Sequence, residues 1–405
     1  MRILIVTQYF TPESGATSNR LESFARGMAD RGHDVTVICE FPNHPAGKLR
    51  PKDKWRLFRW EKHDNYKILR TAVLAFEKKN NIKRMLFYLS FAFTSFIGGL
   101  LVRRADVVFT SSPPIFHAYT AMLAARIRGS HFVLDIRDLW PDSALEIEAV
   151  SNKFFLKLGS FIEKQIYNHA SLIFAVSKGI KEKIEQRGGQ DKTHVAYNGS
   201  FEKILNWSGE NAQVRSQPGW SDKTVVLYAG LMGLGQGLTN LIPEIQSMPN
   251  SNLSFIFIGE GVEKNLLDDK IKELKIENMR LVDSMPLDDV IPYMYAADFL
   301  FVILRDKELF KSAIPSKFFD CMAVGKPILS NVDGELREIM EKNSTGLYFS
   351  LKEPGSLKKA IETLINSPDK RIEMGENGKK LVASRFLRSK ITAEAVKLIE
   401  DQIKI

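Results

Sequence analysis

The chain has 405 residues, 44% of them apolar, and carries a net charge of +9. That length and composition exclude a disordered chain and leave room for two domains of ordinary size. Two cysteines far apart in sequence, Cys39 and Cys321, exclude a disulfide framework, while the positive charge admits nucleic acid, anionic lipid or phosphorylated ligands as partners.

The run Arg2–Thr7 fits a strand buried on both faces, and no signal peptide is expected there. A loop with Pro12, Glu13 and Gly15 follows. Asn19 and Glu22 have capping-box spacing, and Leu21, Phe24, Ala25 and Met28 have helical periodicity up to Gly32. Asp34–Cys39 is the next strand, so the loop opens at the carboxyl end of the first strand of a βαβ unit, where doubly wound sheets bind ligands. Gly15 lets backbone approach a ligand closely, or serves only as a tight turn.

From Lys48 to Arg70 there are nine Lys or Arg against three Asp or Glu, interleaved with Trp55, Phe58, Trp60 and Tyr66. Such a stretch suits anionic lipid, single-stranded nucleic acid or a solvated loop. Met85–Val102 is then 18 residues without a charge. A crossing would leave the later strands Asp106–Thr110 and His131–Ile136 on the wrong side of a membrane from Arg2–Thr7. The expectation is a helix half sunk in the cytoplasmic leaflet, with a helix packed on the sheet as the other reading.

A helix is expected from the Pro113-Pro114 pair to Arg128. The next buried strand ends in Asp135, Arg137 and Asp138, again at a carboxyl end. Charges there are costly unless paired or used. Arg137 is either one half of a structural pair with Asp135 or Asp138, or part of a site in which Asp138 orients or deprotonates an acceptor hydroxyl. Ser151–His169 and Ser177–Arg187 read as helices, and Asn198-Gly199 as a turn.

Residues 201–221 are polar and poorly periodic, and are expected to be a linker. The pattern then restarts with the strand Thr224–Ala229. The loop Gly230–Gly237, with Gly233, Gly235 and Gln236, has glycines able to cradle a diphosphate but lacks G-x-G-x-x-G spacing. Gly259 and Glu260 close another strand; Glu260 reads as a ribose ligand or as a cap for the next helix. Further on, Ser316 is expected to cap a helix that Gly325 ends, with Phe318, Phe319 and Met322 on its apolar face. Lys317 and the first-turn N–H groups make a place for phosphate, and Asp320 could accept from a sugar hydroxyl. Phosphate plus ribose suggests a nucleotide.

The run Pro-Ser-Lys…Met-Ala-x-Gly-Lys-Pro at 315–327, with Asp-x-Arg-Asp-Leu-Trp-Pro at 135–141, resembles the retaining glycosyltransferases of family 4, in their WbuB-like N-acetylfucosaminyltransferase branch. In that pattern Asp320 falls on an acidic ribose ligand and Ser312 on a second acidic position. Leu231 and Gln236 fall on the two cations of the glycine loop, and Arg137 on a His. Ser284-Met285-Pro286 resembles the segment that reads the base.

The resemblance implies an α/β architecture of two Rossmann-like domains, GT-B, facing across a cleft. The expected division is 1–200 as acceptor and membrane-facing domain, 201–221 as linker, 222–385 as nucleotide-sugar domain and 386–405 as a helix crossing back. It implies transfer, with retention, of N-acetyl-L-fucosamine or a similar sugar from a UDP-sugar to a lipid-linked oligosaccharide in bacterial O-antigen or capsule synthesis. No cofactor, metal or nucleic acid is expected, and the place is the cytoplasmic face of the plasma membrane. The expected catalytic residues are Asp138, Arg137 and Lys317. The expected donor-binding residues are Gly15, Gly230, Gly233, Gly235, Gln236, Gly259, Glu260, Met285, Ser316, Lys317 and Asp320. A sugar-nucleotide epimerase on the same fold and a non-catalytic sugar-nucleotide-binding protein are the alternatives.

Overall fold

The computed structural model describes residues 1–13, 15–43, 46–77, 80–142, 153–217, 220–248 and 252–403. Two units divide it: one holds Met1–Tyr197 with Ser389–Ile405, the other Asn198–Arg388. Residues 201–221 therefore belong to the second unit. Among those described, Ile204, Val214 and Trp220 are buried in it, whereas Pro218 and Gly219 lie outside the described residues. The crossing back to the first unit begins at Ser389.

The described strands of the first unit are β1 (Arg2–Val6), β2 (Asp34–Glu40), β3 (Phe58–Lys62), β4 (Lys67–Thr71), β5 (Val107–Ser112), β6 (His131–Ile136), β7 (Leu172–Ala175) and β8 (Thr193–Val195). Their order is β3-β4-β2-β1-β5-β6-β7-β8, parallel except for the antiparallel β3–β4 pair at the edge. Ile3 to Val6 and Val107 to Phe109 are all buried, which is why these strands read as unbroken apolar runs. The order reverses direction between β2, β1 and β5, so the loops after β1 and β5 open at a topological switch point.

The hairpin β3–β4 lies within the basic stretch. Its charges are partly tied down: Asp53 pairs with Arg59, and Glu61 with Arg59 and Arg70. The helix after Gly15 starts at Ala16, not at the capping box of Asn19 and Glu22, and has no side-chain cap. All but the last residue of the uncharged stretch, Val102, lie in the helix Asn81–Leu101, whose Phe87, Phe91, Ala92, Ser95, Gly98 and Gly99 are buried. Gly98 packs toward Ile38 and Leu69, and Gly99 toward Ala124. One face is therefore a sheet-covering helix. The tail helix Arg388–Gln402 is held to this unit by Glu400, which accepts from Arg31 and bonds His33 Nε2 at 2.9 Å.

The second unit has β9 (Thr224–Ala229), β10 (Leu253–Ile258), β11 (Met279–Val282), β12 (Phe299–Val302), β13 (Ile328–Ser330) and β14 (Gly346–Tyr348). They run parallel in the order β11-β10-β9-β12-β13-β14. Its core is aromatic: Tyr228, Phe255, Phe257, Phe299, Phe301 and Phe349 are buried together. The switch point lies between β9 and β12, so the loops 230–237 and 303–315 flank one crevice.

Candidate functional site

The helix Ser316–Val324 begins at the end of the second of those loops. Phe318, Phe319 and Met322 are buried, and Gly325 ends the helix in the left-handed region. Ser316 makes no capping bond; Pro315 occupies the cap position, which leaves the first-turn N–H groups without a side-chain acceptor. Lys317 leaves this turn toward β9. Its Nζ lies 3.6 Å from the centroid of the Tyr228 ring, shut from solvent and without a hydrogen-bond partner among the described residues. Burial pushes this amine down to about 7, and the thiol of Cys321 and the carboxyl of Asp320 only partly oppose that.

Glycine loop and lysine fit together. A Cβ on Gly230, whose φ is +138°, would lie 2.9 Å from Lys317 Nζ; a Cβ on Gly259 would lie 1.9 Å from Gly230 O. Both positions need glycine because backbone and cation meet there. Gln236 turns inward, and its Oε1 accepts from Gly233 N at 2.9 Å. Arg305 lies alongside: its N donates to Gly235 O at 3.0 Å, and its Cγ would be 2.6 Å from a Cβ on Gly237.

Glu263 holds the far end of the loop. It is buried, and accepts from Leu238 N at 2.9 Å and Thr239 Oγ1 at 3.1 Å. Glu263→Ala orphans a buried N–H; we expect a loss of about 1–3 kcal/mol in urea unfolding and a raised donor KM, with Glu263→Gln restoring part of both.

Asp320, one turn beyond Lys317, accepts on Oδ1 from Ser200 Oγ at 2.8 Å, and burial raises its pKa. Ser200 in turn bonds backbone to backbone with Phe386 and Arg388, each at 2.8 Å. Asp320 thus ties the helix to residues 198–200 and 386–388, a role that sequence reasoning did not anticipate. Glu260 is exposed and gives the next helix no side-chain cap; its Oε1 accepts from Lys264 Nζ at 2.6 Å. Met285 is half-buried in the segment after β11, and Ser312 Oγ donates to Leu309 O.

In the first unit Asp135 pairs with Arg20, not with Arg137 as one of the two readings had it. Asp135, fully buried, is gripped by Arg20, with Nη2 to Oδ1 at 2.7 Å, and also accepts from Ser111 Oγ at 2.8 Å. Arg20 further donates to Tyr197 O and Ala196 O. Arg137 donates instead to Ser111 Oγ, Thr17 Oγ1 and Pro113 O. Burial lowers its pKa to about 10, Asp135 opposes that and Arg20 adds to it. Asp138 accepts from Leu139 N at 2.9 Å, and Gly15 precedes the helix that carries Thr17.

Two family models match most of the chain: the glycosyl transferase 4-like domain over residues 15–199, and glycosyl transferases group 1 over residues 210–381. The chain belongs to glycosyltransferase family 4. Among relatives of this glycosyltransferase, the probable glycosyltransferase WbjE of Pseudomonas aeruginosa is 26% identical over 65% of this chain and 66% of its own, so the chain spans just under two thirds of that relative. The putative colanic acid biosynthesis glycosyl transferase WcaI of Escherichia coli is 23% identical over 80% of this chain and 82% of its own. The N-acetylgalactosamine-N,N'-diacetylbacillosaminyl-diphospho-undecaprenol 4-alpha-N-acetylgalactosaminyltransferase of Campylobacter jejuni is 25% identical over 68% and 72%. Among solved structures, Anabaena Alr3699/HepE in complex with UDP-glucose superposes with a TM-score of 0.73 at 18% identity, over 99% of this chain and 100% of that one. The shared fold is two Rossmann-like domains, as in GT-B enzymes.

For this glycosyltransferase the sequence pointed to Lys317 and the glycine loop, and both line the crevice at β9 and β12. It missed a polar cluster in the first unit. There Gln8 Nε2 and Asn43 Nδ2 donate to Glu40 at 2.8 and 2.6 Å, and Asn43 N to Glu13 Oε1 at 2.7 Å. The available signal was Glu40 at the end of an apolar strand, the same signal that singled out Asp138.

Proposed function

We propose that this glycosyltransferase moves a sugar from a UDP-sugar to a lipid-linked oligosaccharide with retention and without a metal, in the synthesis of a bacterial surface polysaccharide. N-acetyl-L-fucosamine or a similar amino or deoxy sugar is the proposed group, following the WbuB-like motifs. The carrying observation is Lys317 Nζ, buried without a hydrogen-bond partner among the described residues, against Gly230 and the open first turn of its helix. A diphosphate there would meet one cation, a helix N-terminus and glycine-loop N–H groups, all aimed where negative charge grows as UDP leaves. Arg305, beside Gly237, is a second cation for a loop with Leu231 and Gln236 at its usual basic positions. Ser316, Gly233, Gly235 and Gly259 would supply backbone to the donor, and Met285 the base contact. Asp138 and Arg137 would orient the acceptor hydroxyl.

The UDP-glucose complex of the Anabaena structure supports the donor class, and the diphospho-undecaprenol acceptor named for the Campylobacter relative supports the acceptor class. The test is incubation with a panel of UDP-sugars and membrane extract, with EDTA present, following UDP release and the anomeric configuration of the product. UDP release that needs the extract and yields the donor's anomeric configuration is expected. Release only after metal is restored, an inverted product, or interconversion of the nucleotide sugar without transfer would each overturn the corresponding part.

A further inference from the structure

We propose that Tyr228 is a positioning residue of the donor crevice, its ring face holding the Lys317 ammonium and its hydroxyl holding the glycine loop. Tyr228 lies near the end of β9, the strand that runs into Gly230, and is fully buried. Its ring packs against Phe257, with centroids 5.9 Å apart, inside the aromatic core. Packing alone would be met as well by phenylalanine, as it is at Phe255, Phe257, Phe299 and Phe301. The hydroxyl and the free ring face each make a contact that the core does not need.

The ring face meets the cation. Lys317 Nζ stands 3.6 Å from the ring centroid, well inside the roughly 6 Å over which an aromatic face attracts a cation. On another side is Gly230, where a Cβ would lie 2.9 Å from Nζ and 3.3 Å from Cε. Ring and glycine backbone are therefore two walls of a slot. A charged amine shut from water is costly unless an electron-rich group faces it. The amine has no hydrogen-bond partner among the described residues, so the ring face is what meets that cost. A lysine held in such a slot has already lost its rotamer freedom, and ligand binding does not have to remove it again. The ring covers one side of the ammonium and leaves N–H donors for a diphosphate.

The hydroxyl reaches the loop. It donates to Leu231 O at 2.5 Å. Burial raises its pKa, and Glu263 and Cys321 add to that, so it stays a donor. The next residue of the loop is tied to the neighbouring strand's end, with Met232 N donating to Glu260 O at 2.8 Å. One rigid side chain thus sets the cation and the loop backbone relative to each other, as binding a diphosphate at both requires. That purpose rests on the UDP-sugar reading above; the contact between cation and ring belongs to the free protein.

The test is an NMR titration of isotope-labelled lysine side chains in the full chain, with the Lys317 signal assigned by its loss in Lys317→Ala. Calorimetry with UDP accompanies it. Tyr228→Phe should keep the midpoint of Lys317 and, by freeing the loop, weaken UDP binding about fivefold. Fluorinated phenylalanines at position 228 keep the ring's shape and drain its face, so each added fluorine should lower the midpoint. Tyr228→Leu should lower it by about one pH unit and weaken UDP binding at pH 8 about tenfold beyond Tyr228→Phe. In Lys317→Ala, Tyr228→Leu should cost no more affinity than Tyr228→Phe does. A midpoint indifferent to fluorination overturns the ring's role, and the fluorinated series decides this even if Tyr228→Leu does not fold. UDP affinity unchanged in Tyr228→Phe overturns the hydroxyl's role. No UDP binding by the unaltered protein, with a midpoint that follows fluorination, overturns the donor reading and spares the ring contact; UDP binding with an indifferent midpoint does the reverse.

Discussion

Replacing Lys317 with alanine is expected to lower sugar transfer by about two to three orders of magnitude, the size of effect seen when one preorganised donor to a developing charge is removed. Folding should change little, because the amine has no hydrogen bond among the described residues to lose. The pH dependence follows from its depressed pKa. In the free protein the amine titrates at about 7, against an ordinary 10.5. A bound diphosphate favours the charged form. UDP binding at pH 8 should therefore take up as much as about one proton, and affinity should fall as pH rises above 7. Stability of the free protein has its own sign. Between those two pKa values the unfolded chain binds more protons than the native one, so stability rises with pH across that window. Calorimetry of UDP binding in buffers of different ionisation heat reads the proton directly. In Lys317→Ala both effects should vanish. Unchanged turnover in that variant would remove the phosphate from this place.

Arg20→Ala should be the most damaging single change to the first unit, costing about 3–5 kcal/mol in its urea transition. Arg20 and Asp135 are 3% and 0% exposed, and Arg20 makes further bonds to Tyr197 O and Ala196 O. Truncation leaves a carboxylate buried with Ser111 and, nearby, Arg137. The cost is that of an uncompensated charge, not of a lost contact. Removing both partners, Arg20→Met with Asp135→Leu, should therefore be milder than Arg20→Ala alone. Arg137→Ala should be milder too, because Arg137 is bonded to hydroxyls and a carbonyl. A loss below about 1 kcal/mol for Arg20→Ala would show that water or Arg137 compensates Asp135.

The two predictions divide along what was legible. Lys317 was legible because a short helix with a cation in its first turn, ended by glycine, is a local pattern: helical spacing buries one face and leaves the N-terminus open. The partner of Asp135 was not. Arg20 and Asp135 are 115 positions apart, and sequence proximity favoured Arg137, which is two residues away. Residues two apart along a strand share a face, but Arg137 lies just past the strand's end at Ile136 and turns with the loop, so nearness in sequence says little about pairing there. The partner of Asp320 was hidden for a like reason, since Ser200 reaches its Oδ1 from outside its own βα unit. The Lys48–Arg70 stretch concealed the β3–β4 hairpin, because charge hides strand alternation until Asp53 and Glu61 neutralise Arg59 and Arg70.

From sequence alone came the two α/β halves, their parallel strands, the glycine loop and the lysine-bearing helix. Each is set by short-range periodicity and backbone chemistry. Tertiary structure alone decided where the halves divide, that Ile204, Val214 and Trp220 pack into the second, which arginine answers Asp135, and that the uncharged helix keeps one apolar face inside and one outside. Those depend on which surfaces meet after the sheet orders its strands. In a parallel sheet each strand's neighbours are set by crossovers tens of residues long, which leave no mark on local spacing.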